Sequence, residues 1–415
     1  MATLRSMVAN RRLLTLGVAE SVSNTGNWIT MMAVYAMLVF RGQGSVAESG
    51  AVFLAGLLPT LLFSPAAGWL CDRFDRKWLM VISELVSGLV ISGLIFVRQP
   101  VWIYTLLAIQ AISTSLMAPA RQAVVPDVVP AADLTGANAF LQQLNGIIKI
   151  AAPALAGLVL AVLDPHQAIL LDVVSFALSA LILSRLPALP PHRSGAEDGA
   201  PAGAARDRVW PALRAIGGLR MLFGSVFLAI TVIIGFDVLA PVFTRDVLRG
   251  GESLFGLMIS LIGFGTLAAT LLLMLRRPAA NPWRDLAAGL FLLALIPALL
   301  AAAAGVGNPG LARTLTLAGS FVGGVGNGLL VVQAGTLLQM LSPANMLGRM
   351  GGVFQSVSVA GQLVGIVVTP LVVPGLLPMS VYLVIMAVGL MLLTGMVAAF
   401  ILRQRQIQGA FPDRA

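Results

Sequence analysis

MGGVFQSVSVAGQLVGIVVTPLVVPGLLPMSVYLVIMAVGLMLLTGMVAAFIL, residues Met350 to Leu402, contains no Asp, Glu, Lys, Arg or His. A helix that crosses a bilayer needs roughly 20 mostly apolar residues, so this stretch is too long for one crossing. Pro374-Gly375-Leu376-Leu377-Pro378 divides it, because Pro and Gly punctuate helices. Two membrane helices joined by a tight turn satisfy both observations.

The same reading, carried back along the chain, places spans near 13–40, 48–71, 78–97, 100–120, 137–163, 166–186, 219–244, 253–275, 286–306, 312–340, 345–373 and 378–402. The expected class is therefore an all-α integral membrane protein with twelve transmembrane helices. Composition agrees: 58% of the 415 residues are hydrophobic and 10% are charged. A soluble domain carries about 25% charged residues, so this chain could not supply a polar surface.

The net charge of +9 does not point to nucleic acid, because the basic residues fall in short clusters between apolar runs. Membrane orientation accounts for them. With the N-terminus inside, 20 Lys and Arg residues lie in inner segments and 5 in outer ones, with Lys149 inside a span. Lys and Arg accumulate in cytoplasmic loops. The expectation is an inner-membrane protein with both termini cytoplasmic. The basic N-terminal stretch lacks a small-residue cleavage site and reads as leading into a retained first helix. Cys71 is the lone cysteine, and His166 and His192 are expected in loops, so no metal site and no disulfide are expected.

Residues 188–218 are rich in Pro, Gly, Ala and charge and read as a cytoplasmic linker. It separates a six-helix bundle over 1–187 from a second over 219–415. A displacement of 212 residues aligns Leu134 with Met346, Gly136 with Gly348 and Gln143 with Gln355, each at an inner-loop-to-helix junction. Two similar halves related by an axis along the membrane normal are a transporter architecture.

Gly68 to Lys77 reads GWLCDRFDRK. This resembles the inner-loop signature of the major facilitator superfamily, G-x-L-x-D-R-x-G-R-K. Gly68, Leu70, Asp72, Arg73, Arg76 and Lys77 match, and Asp75 stands where the family has a second glycine. Ala118 to Gly157, with APARQAVVPDVVP, LTGANAFLQ and APALAG, is similar to the drug-efflux and siderophore-export branch, the macrolide- and enterobactin-exporter type. The resemblance implies two pseudo-symmetric bundles around a central cavity lined by the first helix of each triplet. It also implies a cytoplasmic gate at Gly68, Asp72, Arg73, Arg76 and Lys77, with Arg121 nearby. Gly68 is expected to allow close helix approach. Asp72 is expected at the N-terminal end of span 11, where Ser342 would cap and Pro343 would open the helix. Simple topological anchoring by the basic residues is the competing reading.

A charge inside a span costs at least ~2.5–3.5 kcal/mol on insertion scales, so each needs a reason. Glu20, Asn24 and Asn27 share one face of span 1, with Ser23 and Thr30 adjacent. Glu20 is the leading candidate for proton coupling or cation recognition, against a structural hydrogen bond. Asn138, Gln142, Asn145 and Lys149 form a second stripe in span 5. Lys149 needs an acidic partner or an anionic substrate, and Glu20, Asp172 and Asp237 are the available acids. Asp237 in span 7 and Gln355 in span 11 are further cavity candidates, as is Asp172, for which outer-end bonding competes. Glu84 is expected to pair with Arg76 or Arg73. Span 4 adds Gln110, Ser113 and Thr114.

HExxH, G-x-S-x-G and paired histidines are absent, so an enzyme is not expected. The expected function is export of an amphipathic small molecule, a drug or siderophore, by alternating access with proton antiport. No cofactor is expected beyond a proton gradient, and the expected partners are the substrate and the bilayer around a monomer. A lipid-like or metabolite carrier of the same fold is the alternative, and a channel a more distant one.

Overall fold

The computed structural model describes residues 10–130, 133–189, 216–275, 281–343 and 346–410, and among these it is helical, with no strand. The first unit holds Met1–Gly195 together with Thr244–Ser260. Its helices are α1 (Arg11–Tyr35, running into a π-helical turn Ala36–Phe40), α2 (Val46–Arg73), α3 (Arg76–Ser92), α4 (Pro100–Thr114), α5 (Met117–Val128), α6 (Leu134–Val162) and α7 (Pro165–Ser184). The second unit holds Ala196–Phe243 and Leu261–Ala415. Its helices are α8 (Gly217–Asp246) and α9 (Glu252–Leu275), apart from their adjoining ends, then α10 (Pro282–Gly305), α11 (Pro309–Leu341), α12 (Leu347–Val372) and α13 (Met379–Ala410). α4 and α5 form one crossing, Pro100–Val128, which runs past the expected end of span 4 and takes Arg121 into a helix. The linker expected over 188–218 lies almost wholly outside the described residues.

Eleven of these crossings are long and apolar enough to span a bilayer by length and composition. The remaining long helix is α1, whose hydropathy is lowered by Glu20, Asn24 and Asn27. Local signals set the starts. Asn10 accepts from the amides of Arg12 and Leu13 at 3.1 Å each, and its own amide donates to Val128 O at 2.9 Å. Asn281 and Asn308 cap α10 and α11, each followed by a proline at the first helical turn. Asp164 and Gln167 make a reciprocal cap on α7. This places His166 in the first helical turn rather than in a loop.

In the first unit α1 packs chiefly on α7 and α6, α3 on α7 and α4, and α2 on α4. At one end of the unit Arg41 bridges Asp164 at 2.6 Å and Glu252 at 3.3 Å. Arg245 donates there to Val39 O at 2.6 Å and Gly44 O at 2.8 Å. In the second unit α10 packs on α11 and α13. Small residues let these backbones meet: a Cβ on Gly326 would run into the Leu293 backbone.

Two expectations need correction. Ser342 closes α11 and does not open α12, which begins at Leu347 after Met346 donates to Pro343 O at 2.8 Å. A Cβ on Gly68 would meet no atom within 4 Å, so among the described residues no helix approaches closely there.

Candidate functional site

The 3–4 spacing on α1 brings its polar residues to one face, and that face meets α4, α5 and α6. Arg121 Nη1 donates to both Glu20 oxygens, at 3.0 Å and 3.2 Å. Asn145 Nδ2 donates to Glu20 Oε1 at 3.3 Å, and Asn24 Nδ2 donates to Asn145 Oδ1 at 3.0 Å. Gln110 Nε2 donates to Asn27 Oδ1 at 2.7 Å. The network therefore runs Arg121, Glu20, Asn145, Asn24, with Gln110 and Asn27 beside it. The paired side chains retain 17% (Glu20) and 24% (Arg121) of their exposure, so the pair is shielded yet reachable.

Three cavities open around this network within the first unit. One of about 190 Å³ is lined by Asn24, Asn27, Trp28, Met31, Asn145 and Lys149. A second of about 440 Å³ has Arg121, Asn138 and Gln142 on its wall. A third of about 380 Å³ shares Asn27 and Met31 and is otherwise mainly apolar, with Val52, Phe53 and Leu107. The linings thus combine apolar and aromatic surface with a few amides, Lys149 and Arg121, and Glu20 stands behind Arg121 as its counter-ion. Such walls hold an organic molecule by area and orient it by a few polar groups.

Glu20, Asn24, Asn27, Gln142 and Lys149 are brought to this region, and Arg121 joins them as the counter-ion of Glu20. Lys149 makes no ion pair among the described residues, and Glu20 is already engaged. Asp172 goes elsewhere: it is fully buried where α7 meets α1, accepting from Ser175 Oγ at 2.9 Å. Glu84 is also buried, and the expected pairing with Arg76 gives way to an Arg76–Asp127 pair. Asp237 on α8 and Gln355 on α12 lie in the second unit, the first partly buried and the second exposed.

The loop between α2 and α3 has its own geometry. Arg76 is 7% exposed and donates to Asp127 Oδ2 at 2.9 Å and Ala123 O at 3.3 Å, which ties α3 to α5. Arg73 lies over the Trp69 ring at 4.4 Å and Lys77 over Trp78 at 5.3 Å. Asp72 is exposed at the end of α2. Asp75 has φ −59°, so the turn needs no glycine. Its Oδ1 accepts the Lys77 amide at 2.9 Å and its Oδ2 accepts the Leu189 amide at 3.1 Å, while the Arg76 amide donates to Leu189 O at 3.1 Å.

Residues 16–365 match the family model described as Major Facilitator Superfamily. The chain is 27% identical over 357 residues to the MFS-type transporter YfiS of Bacillus subtilis, covering 85% of this chain and 84% of that one. It is 32% identical over 185 residues to macrolide efflux protein A of Streptococcus pyogenes, covering 43% and 45% of the two chains. It is 26% identical over 258 residues to the staphyloferrin A transporter of Staphylococcus aureus, covering 60% and 63%. A crystal structure of a mutant of the nucleoside transporter NupG superposes with a TM-score of 0.75 at 15% identity, covering 93% of this chain and 99% of that chain. The relatives fit the efflux and siderophore branch, and their fold is that of carriers rather than enzymes. Helix count, loop signature and family match converge: this multi-pass membrane transporter belongs to the Major Facilitator Superfamily.

Proposed function

We propose that the chain exports an amphipathic organic molecule, a drug or a siderophore, across the bacterial inner membrane by alternating access coupled to proton influx. The observation that carries this reading is the Glu20–Arg121 pair set among the three cavities. The names of the efflux and staphyloferrin relatives support the substrate class. The proton gradient is the energy source, no cofactor is required, and the monomer is the working unit. Both termini face the cytoplasm.

The chemistry follows from charge. Ionised Glu20 holds Arg121, and protonation of Glu20 removes that hold and frees the guanidinium. A proton and a cationic substrate group compete for the same carboxylate, which is a minimal antiport. The apolar walls with Trp28, Met31 and Phe53 take the hydrophobic body.

The test is transport by the purified chain in proteoliposomes under an imposed pH gradient, with a macrolide and a carboxylate siderophore as separate substrates. Wild type accumulates at least one of them. Glu20→Gln loses gradient-driven accumulation while retaining gradient-independent exchange of labelled substrate. Full gradient-driven transport by Glu20→Gln sinks the assignment.

A further inference from the structure

α1 has a second polar face. Ser23, Gly26 and Thr30 follow spacings of three and four, one position round from the cavity stripe, and face α7 and α3. α7 presents Asp172, Ser175 and Ser179 in the same manner, and α3 presents Glu84 and Ser87. Asp172 is 0% exposed and Glu84 2% exposed. Ser175 donates to Asp172 Oδ1. Thr30 lies beside Asp172, and Ser23 and Ser179 lie beside Glu84. Asp172 Oδ2, Glu84 Oε2 and the hydroxyls of Thr30, Ser87 and Ser179 are buried without a hydrogen-bond partner among the described residues. All three helices thus aim unpartnered polar atoms into one seam.

Among the described residues no cation compensates the two acids. The charges acting on Glu84 are the carboxylates of Asp172 and Glu20. The basic groups on the surrounding helices are engaged or turned away: Arg121 is on Glu20, Arg76 is on Asp127, and Lys149 lines the cavity side of α6. Two ionised carboxylates buried near one another would repel, with nothing but hydroxyls to solvate them. A neutral acid has an O–H to donate, and the seam supplies acceptors in its hydroxyl oxygens. Gly26 is part of the construction, since a Cβ there would run into Ser175 Oγ and Asp172 Oδ1.

We propose that Glu84 and Asp172 form a proton-binding site separate from the Glu20–Arg121 pair, each carboxylate taking a proton from hydronium, releasing water, and donating the new O–H to the seam's hydroxyls. A cavity of about 320 Å³ lined by Ser21, Thr25, Gly26 and Ser175 ends at Ser175, whose hydroxyl is bonded to Asp172 Oδ1, and protons exchange from that side through the hydroxyl. The site also bears on α1 as a whole. Loss of either proton leaves an unpaired charge in the packing face of the helix whose other face carries Glu20. Proton load in the seam and the seating of α1 on α7 are therefore linked.

Infrared spectroscopy of the full-length chain in bilayers tests this directly. At neutral pH the wild type shows the carbonyl absorption of neutral carboxylic acids, and it moves on transfer to D₂O. On an Asp237→Asn background, which removes the desolvated acid of α8, Glu84→Gln and Asp172→Asn each remove part of it, the double variant removes it, and Glu20→Gln leaves it. This readout stands apart from the transport assay, so the two readings fail separately. Because an amide is the isostere of a neutral acid, both single variants remain monodisperse. Wild-type protein without such an absorption at neutral pH overturns the proposal. So does an absorption that appears only when sodium and potassium are withdrawn, because the seam would then hold a metal cation. An amide variant that fails to fold also counts against it.

Discussion

Lys149 is the residue whose charge is expected to discriminate between substrates. It stands in the cavity wall beside Asn145 with no acidic partner among the described residues, so an anion entering this cavity meets an available ammonium. Hydrogen bonds to charged groups contribute about 1.5–3 kcal/mol, so Lys149→Gln is expected to raise the KM for a carboxylate siderophore by roughly 10- to 100-fold. A neutral or cationic drug should be unaffected or improved. Equal effects on both substrate classes would remove Lys149 from recognition. Arg76 illustrates the structural counterpart. Its side chain is 8% exposed against 16% for Asp127, and removing one partner of such a buried pair costs about 3–5 kcal/mol. Asp127→Ala is therefore expected to lower the thermal midpoint in detergent far more than Glu20→Gln, whose partner retains 24% exposure. The residue types of the site were legible as stripes, because Glu20, Asn24 and Asn27 must share a face on any helix. The Glu20–Arg121 pairing was not, since 101 positions separate the two and ending span 4 at 120 left Arg121 in a loop.

Elements were legible to within a few residues wherever a polar cap met an apolar run, as at Asn10, Asn281 and Asn308. They were misread where two capping signals competed. Ser342-Pro343 looks like a helix opening, yet α11 is still closing there, and its last turn uses the Ser342 amide on Leu338 O at 3.1 Å. Asp75 shows how one departure from a family signature reorganises an element. A glycine would supply a flexible turn, whereas Asp75 supplies a cap for α3 and a second oxygen for Leu189 just beyond α7. Loss of an N-cap costs about 0.5–2 kcal/mol. Asp75→Ala should lower stability by about that much and release Leu189, read as faster amide hydrogen exchange over the residues following α7. Asp75→Asn, which keeps an acceptor for the Lys77 amide, should recover most of the stability. Unchanged exchange at Leu189 in Asp75→Ala would show that this tether contributes nothing.

At the scale of the whole molecule, the pattern of charge along the chain selects a topology that helix geometry by itself leaves open. Twelve crossings put the two termini on one side, but the helices are equally content with that side being inner or outer. Read from the sequence, 20 Lys and Arg fall in the segments on the side of the N-terminus, Arg121 among them, and 5 on the other, and such a bias predicts that the N-terminal side is the inner one. The prediction is that single cysteines introduced on a Cys71→Ser background report two classes of site. Cys71 is the one cysteine of the chain, so its replacement leaves each introduced thiol as the reporter. Arg98→Cys and Gly307→Cys, in the turns after α3 and α10, should react with a membrane-impermeant thiol reagent in intact cells. Ala200→Cys, within the segment joining the two halves, should react only after permeabilisation. Reversed labelling would invert the orientation and with it the direction assigned to the proton, because Glu20 would then be loaded from the opposite side during export.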